Sequence, residues 1–412
     1  MRDLHVDATA RLLPAVAASG LPGSMLPWPQ EPLSDACWRA FLALVDDHRL
    51  SGFLLHALGS KALPATAEQA LQARRLHARA MSRALLRDAA LLETAETLNQ
   101  AGIFWRALNG VPTAHLVYAD PATRPYREVS MLVPAARFDD ALQALAALGY
   151  ERRSPPLRPW FDVTFGSAVT LLRPDGMSIN LHRTLILGPF GLTIELDSLF
   201  QAAAEFTVGG RQIMALAPEA HFLHSCYHAS LSGVPARLAA LRDVAQQVLS
   251  NTLDTERVLA LARAWAGEVV LALAVRLAWE CFALADAVPL SAWARRYTPS
   301  GREQRFLAGY WSRRYAHNAL HSVQVIKGVA AKAAFLRAVT LPDRAWLARH
   351  GQRRGRWLRH GVASAFHRRE RSLTLSTCLR TAAAVRGRSE AERGFGGPRR
   401  RNRLRYNKKS RR

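Results

Sequence analysis

Between residues 34 and 100 the apolar positions recur at helical spacing. Trp38, Phe41, Leu42 and Val45 fall on one face, with Ser34 placed to cap the N-terminus and Asp35 suited to the first turn. Leu91, Leu92, Ala95 and Leu98 form the inward stripe of a further helix that stops at Gly102. The period then changes. Residues 104–108 predict a short strand, 112–118 a short helix, and 128–133 a strand ended by Pro134. Phe138, Ala141, Leu142, Leu145 and Leu148 predict another amphipathic helix with Gly149 at its C′ position. Three strands are expected next, at 161–165, 168–173 and 178–184. The turn Pro174-Asp175-Gly176 joins the last two as an antiparallel hairpin. Beyond Pro218 the helical period returns and runs to about residue 349.

This order predicts an α+β fold: a small mixed sheet with flanking helices at 101–217, between a helical segment at 1–100 and a helical domain at 218–350. Residues 351–412 form a basic tail. From about residue 386 it lacks apolar periodicity and places Gly394, Gly396, Gly397 and Pro398 among arginines, so disorder is expected there. A chain of 412 residues with 49% apolar content can bury substantial cores. The most apolar stretch, 267–288, carries Glu268, Arg276, Glu280 and Asp286, which argues against a membrane span. Asp3 and Asp7 stand where a secretory leader is basic, so a cytoplasmic protein is expected. Cys37, Cys226, Cys281 and Cys378 form no C-x-x-C pair and read as core thiols.

The net charge of +24 is concentrated: residues 351–412 carry +17 of it, and 386–412 carry +10. Only five of the 56 basic residues are lysine, so arginine is simply the default cation of this chain. The tail reads as a non-specific polyanion-binding segment, for RNA, DNA or an anionic membrane, or as a plain soluble extension. No motif upstream of it reads bases.

The chemistry lies in the sheet region. Residues 105–118 read Trp-Arg-Ala-Leu-Asn-Gly-Val-Pro-Thr-Ala-His-Leu-Val-Tyr, and 124–133 read Arg-Pro-Tyr-Arg-Glu-Val-Ser-Met-Leu-Val. A helix ending in Leu-Gly-Tyr follows. Together with the hairpin strand ending Asn180-Leu181-His182 and the downstream Leu241-Arg242-Asp243, this resembles the uncharacterised bacterial nucleotidyltransferases of the DNA polymerase beta-like superfamily. The pattern of that family is L-K-G, a helix ending in tyrosine, R-P-x-x-D-x-D-L-L-V, and a later E/D-L-H. The resemblance implies transfer of a nucleoside monophosphate from a nucleoside triphosphate to an acceptor, with release of pyrophosphate and use of Mg2+. Two aspartates at i and i+2 of a strand share a face about 7 Å apart. From there they can hold divalent ions that clamp the attacking and leaving oxygens.

At those positions the chain departs from the pattern. The two strand carboxylates correspond to Glu128 and Ser130, the third to Asn180, and the lysine to Asn109. Glu128, Ser130 and Asn180 are thus the degenerate catalytic positions, and Asn109, Gly110 and Arg124 the substrate-binding ones. Glu128 and Asp162, the latter on a predicted neighbouring strand, are the metal candidates. One carboxylate in place of three serves hard cations poorly. The expectation is a nucleotidyltransferase-family protein with weakened or lost activity. The alternative is a non-catalytic module that binds a nucleotide or a partner in a biosynthetic gene cluster, such as an active relative; the acceptor is unknown.

Other polar clusters have a plainer reading. His221, His224 and His228 lie on one helical face. They could gather a metal or pack as core histidines with satisfied ring nitrogens, and the second role is favoured because the nearby sequence offers no fourth ligand. Trp265, Trp279, Trp293 and Trp311 read as core residues.

Overall fold

The computed structural model describes residues 12–233, 236–285, 288–311 and 315–350. The basic tail, including the segment expected to be disordered, lies outside the described residues, as do Asp3, Asp7, Asp286 and Cys378.

Seven strands form one mixed sheet in the order β3-β4-β5-β2-β1-β7-β6. They are β1 (Arg106–Leu108), β2 (Val129–Leu132), β3 (Glu151–Arg152), β4 (Ala168–Leu172), β5 (Ser178–His182), β6 (Ala203–Val208) and β7 (Arg211–Leu216). β2 runs antiparallel to β1 and parallel to β5, and β1 runs parallel to β7. The β4–β5 hairpin follows the predicted turn: Gly176 takes φ 84° and the Asp175 carboxylate accepts from the Met177 N–H.

Strand alternation divides the sheet into two unlike faces. Val129, Met131, Ile179 and Leu181 point to one side. There they pack with Leu91 and Leu98 of the long helix Ala67–Gln100 and with Phe138 and Leu145 of helix Phe138–Ala146. Ser130, Asn180 and His182 alternate with them and face the other side, towards helix Pro218–Leu231. The first face is dry core, whereas the second carries polar groups inside the fold.

Around that second face, helices from both ends of the chain share one apolar cluster. It includes Trp38, Phe41 and Phe53 from the N-terminal part, Leu108, Leu132 and Leu216 from the strands, and Phe222, Tyr227, Trp265 and Phe282 from the C-terminal part. Each fully buried phenylalanine contributes roughly 1.5–3 kcal/mol, so this shared core fastens the flanking helices to the sheet. Ser34 does cap helix Asp35–Asp47, accepting from the Cys37 N–H. Trp279 and Trp311 are buried here as well, while Trp293 is half-buried.

The strand region differs from the sequence expectation at three places; one is the two-residue edge strand β3, where no strand is expected. Residues expected to form a strand at 161–165 form a helical turn, Phe161–Thr164. Its logic is the i, i+4 pair Phe161 and Phe165, whose rings both pack on Phe335 at 5.9 and 5.2 Å. The hairpin β6–β7 is an addition to the expected strands. Its two-residue turn, Gly209-Gly210 with φ 55° and 78°, supplies the left-handed pair that tight hairpins require.

Candidate functional site

The segment preceding β2 carries the site, and almost every residue in it is tied to a different part of the fold. Arg124 is buried and forked on Asp243 of helix Leu238–Leu249, with Nε–Oδ1 at 2.9 Å and Nη2–Oδ2 at 2.8 Å. Its Nη1 donates to the Pro125 carbonyl at 3.0 Å. Tyr118 donates its hydroxyl to the same Asp243 carboxylate at 2.8 Å. Tyr126 donates to Asp88 of the long helix, and Arg127 pairs with Asp46. Glu128 accepts from Arg49 Nη2 at 2.8 Å. This segment therefore enters β2 in a fixed register.

Asn109 and Gly110 form the opposite wall. Asn109 sits at φ 61°, a left-handed conformation, where β1 turns into helix Gly110–Val117. A Cβ on Gly110 would lie 2.5 Å from the Tyr126 Cβ, so only glycine allows this close approach. The Asn109 side-chain amide donates to Ser130 Oγ at 2.9 Å.

Ser130 and Asn180 are direct register partners across β2 and β5, and Thr170 of β4 stands next in the row. Thr170 Oγ1 donates to Asn180 Oδ1 at 2.8 Å. Glu128, two residues before Ser130, opens onto a cleft of about 550 Å³. Asn109, Asn180, His182, His224, His228 and Arg237 also line it. A narrower recess continues from the cleft past Arg49 and Tyr126 to the Arg124–Asp243 pair. Thus Glu128, Asn180 and Asn109 meet in one cleft, Ser130 lies buried behind it under the Asn109 amide, and Gly110 and Arg124 border the recess. A larger cavity of about 670 Å³ lies at the far side of β1, lined by Phe104, Phe200 and Met214, away from these groups.

Asp162 is not part of this cleft. It lies on the helical turn and pairs with Arg152, and burial raises its pKa against that cation.

The electrostatics of the cleft are set by arginine. Burial raises the Glu128 carboxyl, but the Arg49 charge and hydrogen bond outweigh it and hold the pKa below the usual value. His182 and His228 are pushed down to about 4 by burial, and Arg49 and Arg124 depress His228 further. His221, also lowered to about 4 by burial, shares a hydrogen bond with Thr113 Oγ1 at 3.1 Å. The histidines are therefore neutral at physiological pH. Among the described residues, no group of three or more His, Cys, Asp or Glu side chains is placed to hold a metal ion.

Residues 34–283 match the protein family described as uncharacterised nucleotidyltransferase. The chain belongs to that family. Solved nucleotidyltransferase structures resemble it distantly. The lincomycin-bound lincosamide antibiotic adenylyltransferase LnuA is 14% identical, covering 40% of this chain and 96% of its own, with a TM-score of 0.27. An antigenic nucleotidyltransferase-like protein from Paracoccidioides brasiliensis is 15% identical over 44% of this chain and 92% of its own, also at 0.27. No curated protein matches the chain.

For a nucleotidyltransferase that clamps divalent ions with carboxylates, the residues present do not fit. Two of the three positions are the neutral, already hydrogen-bonded Ser130 and Asn180. The third, Glu128, is engaged by a guanidinium. Sequence reasoning does not single out Arg49 or Arg237, and it quotes His182 only within the Asn180-Leu181-His182 motif, with no role assigned. Arg49 reaches the cleft from a turn 79 positions upstream of Glu128, with no local motif to mark it. His182 stands at the histidine of the E/D-L-H pattern, and strand alternation makes it the next inward residue after Asn180. No helix among the described residues is long and apolar enough to cross a membrane.

Proposed function

We propose that this protein is a nucleotidyltransferase-family member that binds a nucleotide in the cleft between β5 and helix Pro218–Leu231 without catalysing nucleotidyl transfer at the rate of its family. One observation carries the reading: the register pair at the centre of the polar face, Ser130 and Asn180, is neutral on both sides. Arg49 and Arg237 beside it suit phosphate oxygens, whereas nothing there supplies the paired carboxylates that hold Mg2+ against a leaving pyrophosphate. Such a cytoplasmic pseudoenzyme serves by presenting its bound nucleotide state to a partner, an active relative or a biosynthetic protein.

The test is incubation of purified protein with each labelled nucleoside triphosphate, with Mg2+ or Mn2+, with and without cell extract as a source of acceptor. Equilibrium binding is expected for at least one nucleotide, with pyrophosphate release no faster than in the protein-free control. Pyrophosphate release that disappears in Glu128→Gln would instead establish an active enzyme built on Glu128.

A further inference from the structure

We propose that Arg49 stands in for the metal: the cleft takes the phosphate end of its ligand without a divalent cation, Arg49 exchanging the Glu128 carboxylate for phosphate oxygens. This rests on the reading that the cleft binds a nucleotide, and it names the group that holds it.

The two partners of the ion pair are held very differently. The Arg49 side chain is 12% exposed, and its backbone sits at φ 61° in the tight turn between helices Asp35–Asp47 and Ser51–Gly59. The Glu128 side chain is 46% exposed. The arginine is the fixed member and the glutamate can swing into solvent. A guanidinium fork matches phosphate as well as carboxylate, so an incoming phosphate replaces one anion by another of similar geometry and higher charge.

The remaining groups agree with an anion rather than with a cation. Arg124 is committed to Asp243, and that carboxylate is itself neutralised by the contact. Arg237 is exposed at the cleft mouth, close enough to act electrostatically on both Arg49 and Glu128. Once Glu128 has turned away, the recess holds Arg49 with no anion of its own to balance it. His182 lines the cleft as a neutral imidazole whose Nδ1 faces the Thr184 carbonyl at 3.4 Å. The neutral histidines add hydrogen-bonding capacity without adding charge. A divalent ion at this place would meet Arg49 at close range, whereas a phosphate is attracted by it.

Isothermal titration of the full chain with ATP and with inorganic tripolyphosphate, each in EDTA and in Mg2+, tests this. The polybasic tail is common to every protein compared, so differences between wild type and cleft variants report the cleft. Both probes should bind in EDTA about as tightly as in Mg2+. Arg49→Gln should weaken binding about tenfold to a hundredfold, the range expected for loss of a charged hydrogen-bond donor. Glu128→Gln should tighten it about two- to fivefold by removing the competing carboxylate. If Arg49→Gln shows no cooperative melting, the sign of the Glu128→Gln effect decides alone. Binding that requires Mg2+ and is weakened by Glu128→Gln overturns the proposal and leaves nucleotide binding intact. Absence of binding in either buffer overturns both.

Discussion

Arg124 and Asp243, 119 positions apart, form a buried two-pronged ion pair that locks the segment before β2 to the C-terminal helices. Tyr118 completes it from a third element. Both charges are almost fully desolvated, so the pair is costly to split: removing one partner strands the other. Asp243→Ala should therefore lower unfolding stability by about 3–5 kcal/mol. Tyr118→Phe, which removes only one hydrogen bond, should cost about 1 kcal/mol. Urea unfolding measured on the three proteins checks this. Near-equal, small losses would mean that Arg124 is held by its surroundings rather than by Asp243.

Stability should also depend on pH through the buried histidines. In the unfolded chain a histidine titrates near 6.5, whereas His182, His221 and His228 are lowered to about 4 by burial. Between those values the unfolded state binds protons that the folded state does not. Stability is thus complete above about pH 6.5 and declines as pH falls towards 4. His221 alone accounts for roughly 3 kcal/mol at 1.36 kcal/mol per pKa unit. Urea midpoints at about pH 7.5 and pH 5 should differ in that direction, and His221→Gln should flatten the difference. A variant with the same pH slope as wild type would place the acid sensitivity elsewhere.

What could be read from the sequence depended on whether the deciding contact was local. The Ser34 cap and the Pro174-Asp175-Gly176 turn act within four residues, and both appear as expected. The β6–β7 hairpin carries an equally local signal in Gly209-Gly210. Its first strand opens Ala-Ala-Glu, residues with little preference for a sheet, and pairing with β7 at the sheet edge overrides that. The run Phe161-Asp-Val-Thr-Phe looks extended by composition. It is helical because Phe335, far along the chain, receives the rings of Phe161 and Phe165 together. At the site, Ser130 and Asn180 were marked by the resemblance to the family pattern, whereas the Arg49–Glu128 pair required the tertiary fold.

The tail makes a prediction from charge alone. Removal of residues 386–412 takes away a net +10. Association with RNA, DNA or anionic vesicles should fall sharply at low salt. In the full chain, affinity should drop by about a thousandfold or more between 50 and 200 mM salt if six or more phosphates are neutralised. Filter binding of both proteins across that range is the measurement. Full, salt-resistant affinity in the truncated protein would assign binding to the helical body.

Ser130 and Asn180 allow the absence of carboxylates to be tested by restoring them. Because they are register partners, Ser130→Asp together with Asn180→Asp places two carboxylates side by side on the cleft face, with Glu128 two residues from the first. Without metal this cluster should destabilise the fold, since Ser130 is buried and the added charges repel one another. Mg2+ or Mn2+ should then recover stability, by about 2.7 kcal/mol at a hundredfold excess over its dissociation constant. Wild type should show no such recovery, because its single carboxylate is already paired with Arg49. Thermal melts of both proteins with and without metal separate the cases. The decisive contrary result is strong stabilisation of wild type by the metal, unchanged in the double variant. That outcome would require a cation site built from other residues and would remove the basis for a metal-free cleft.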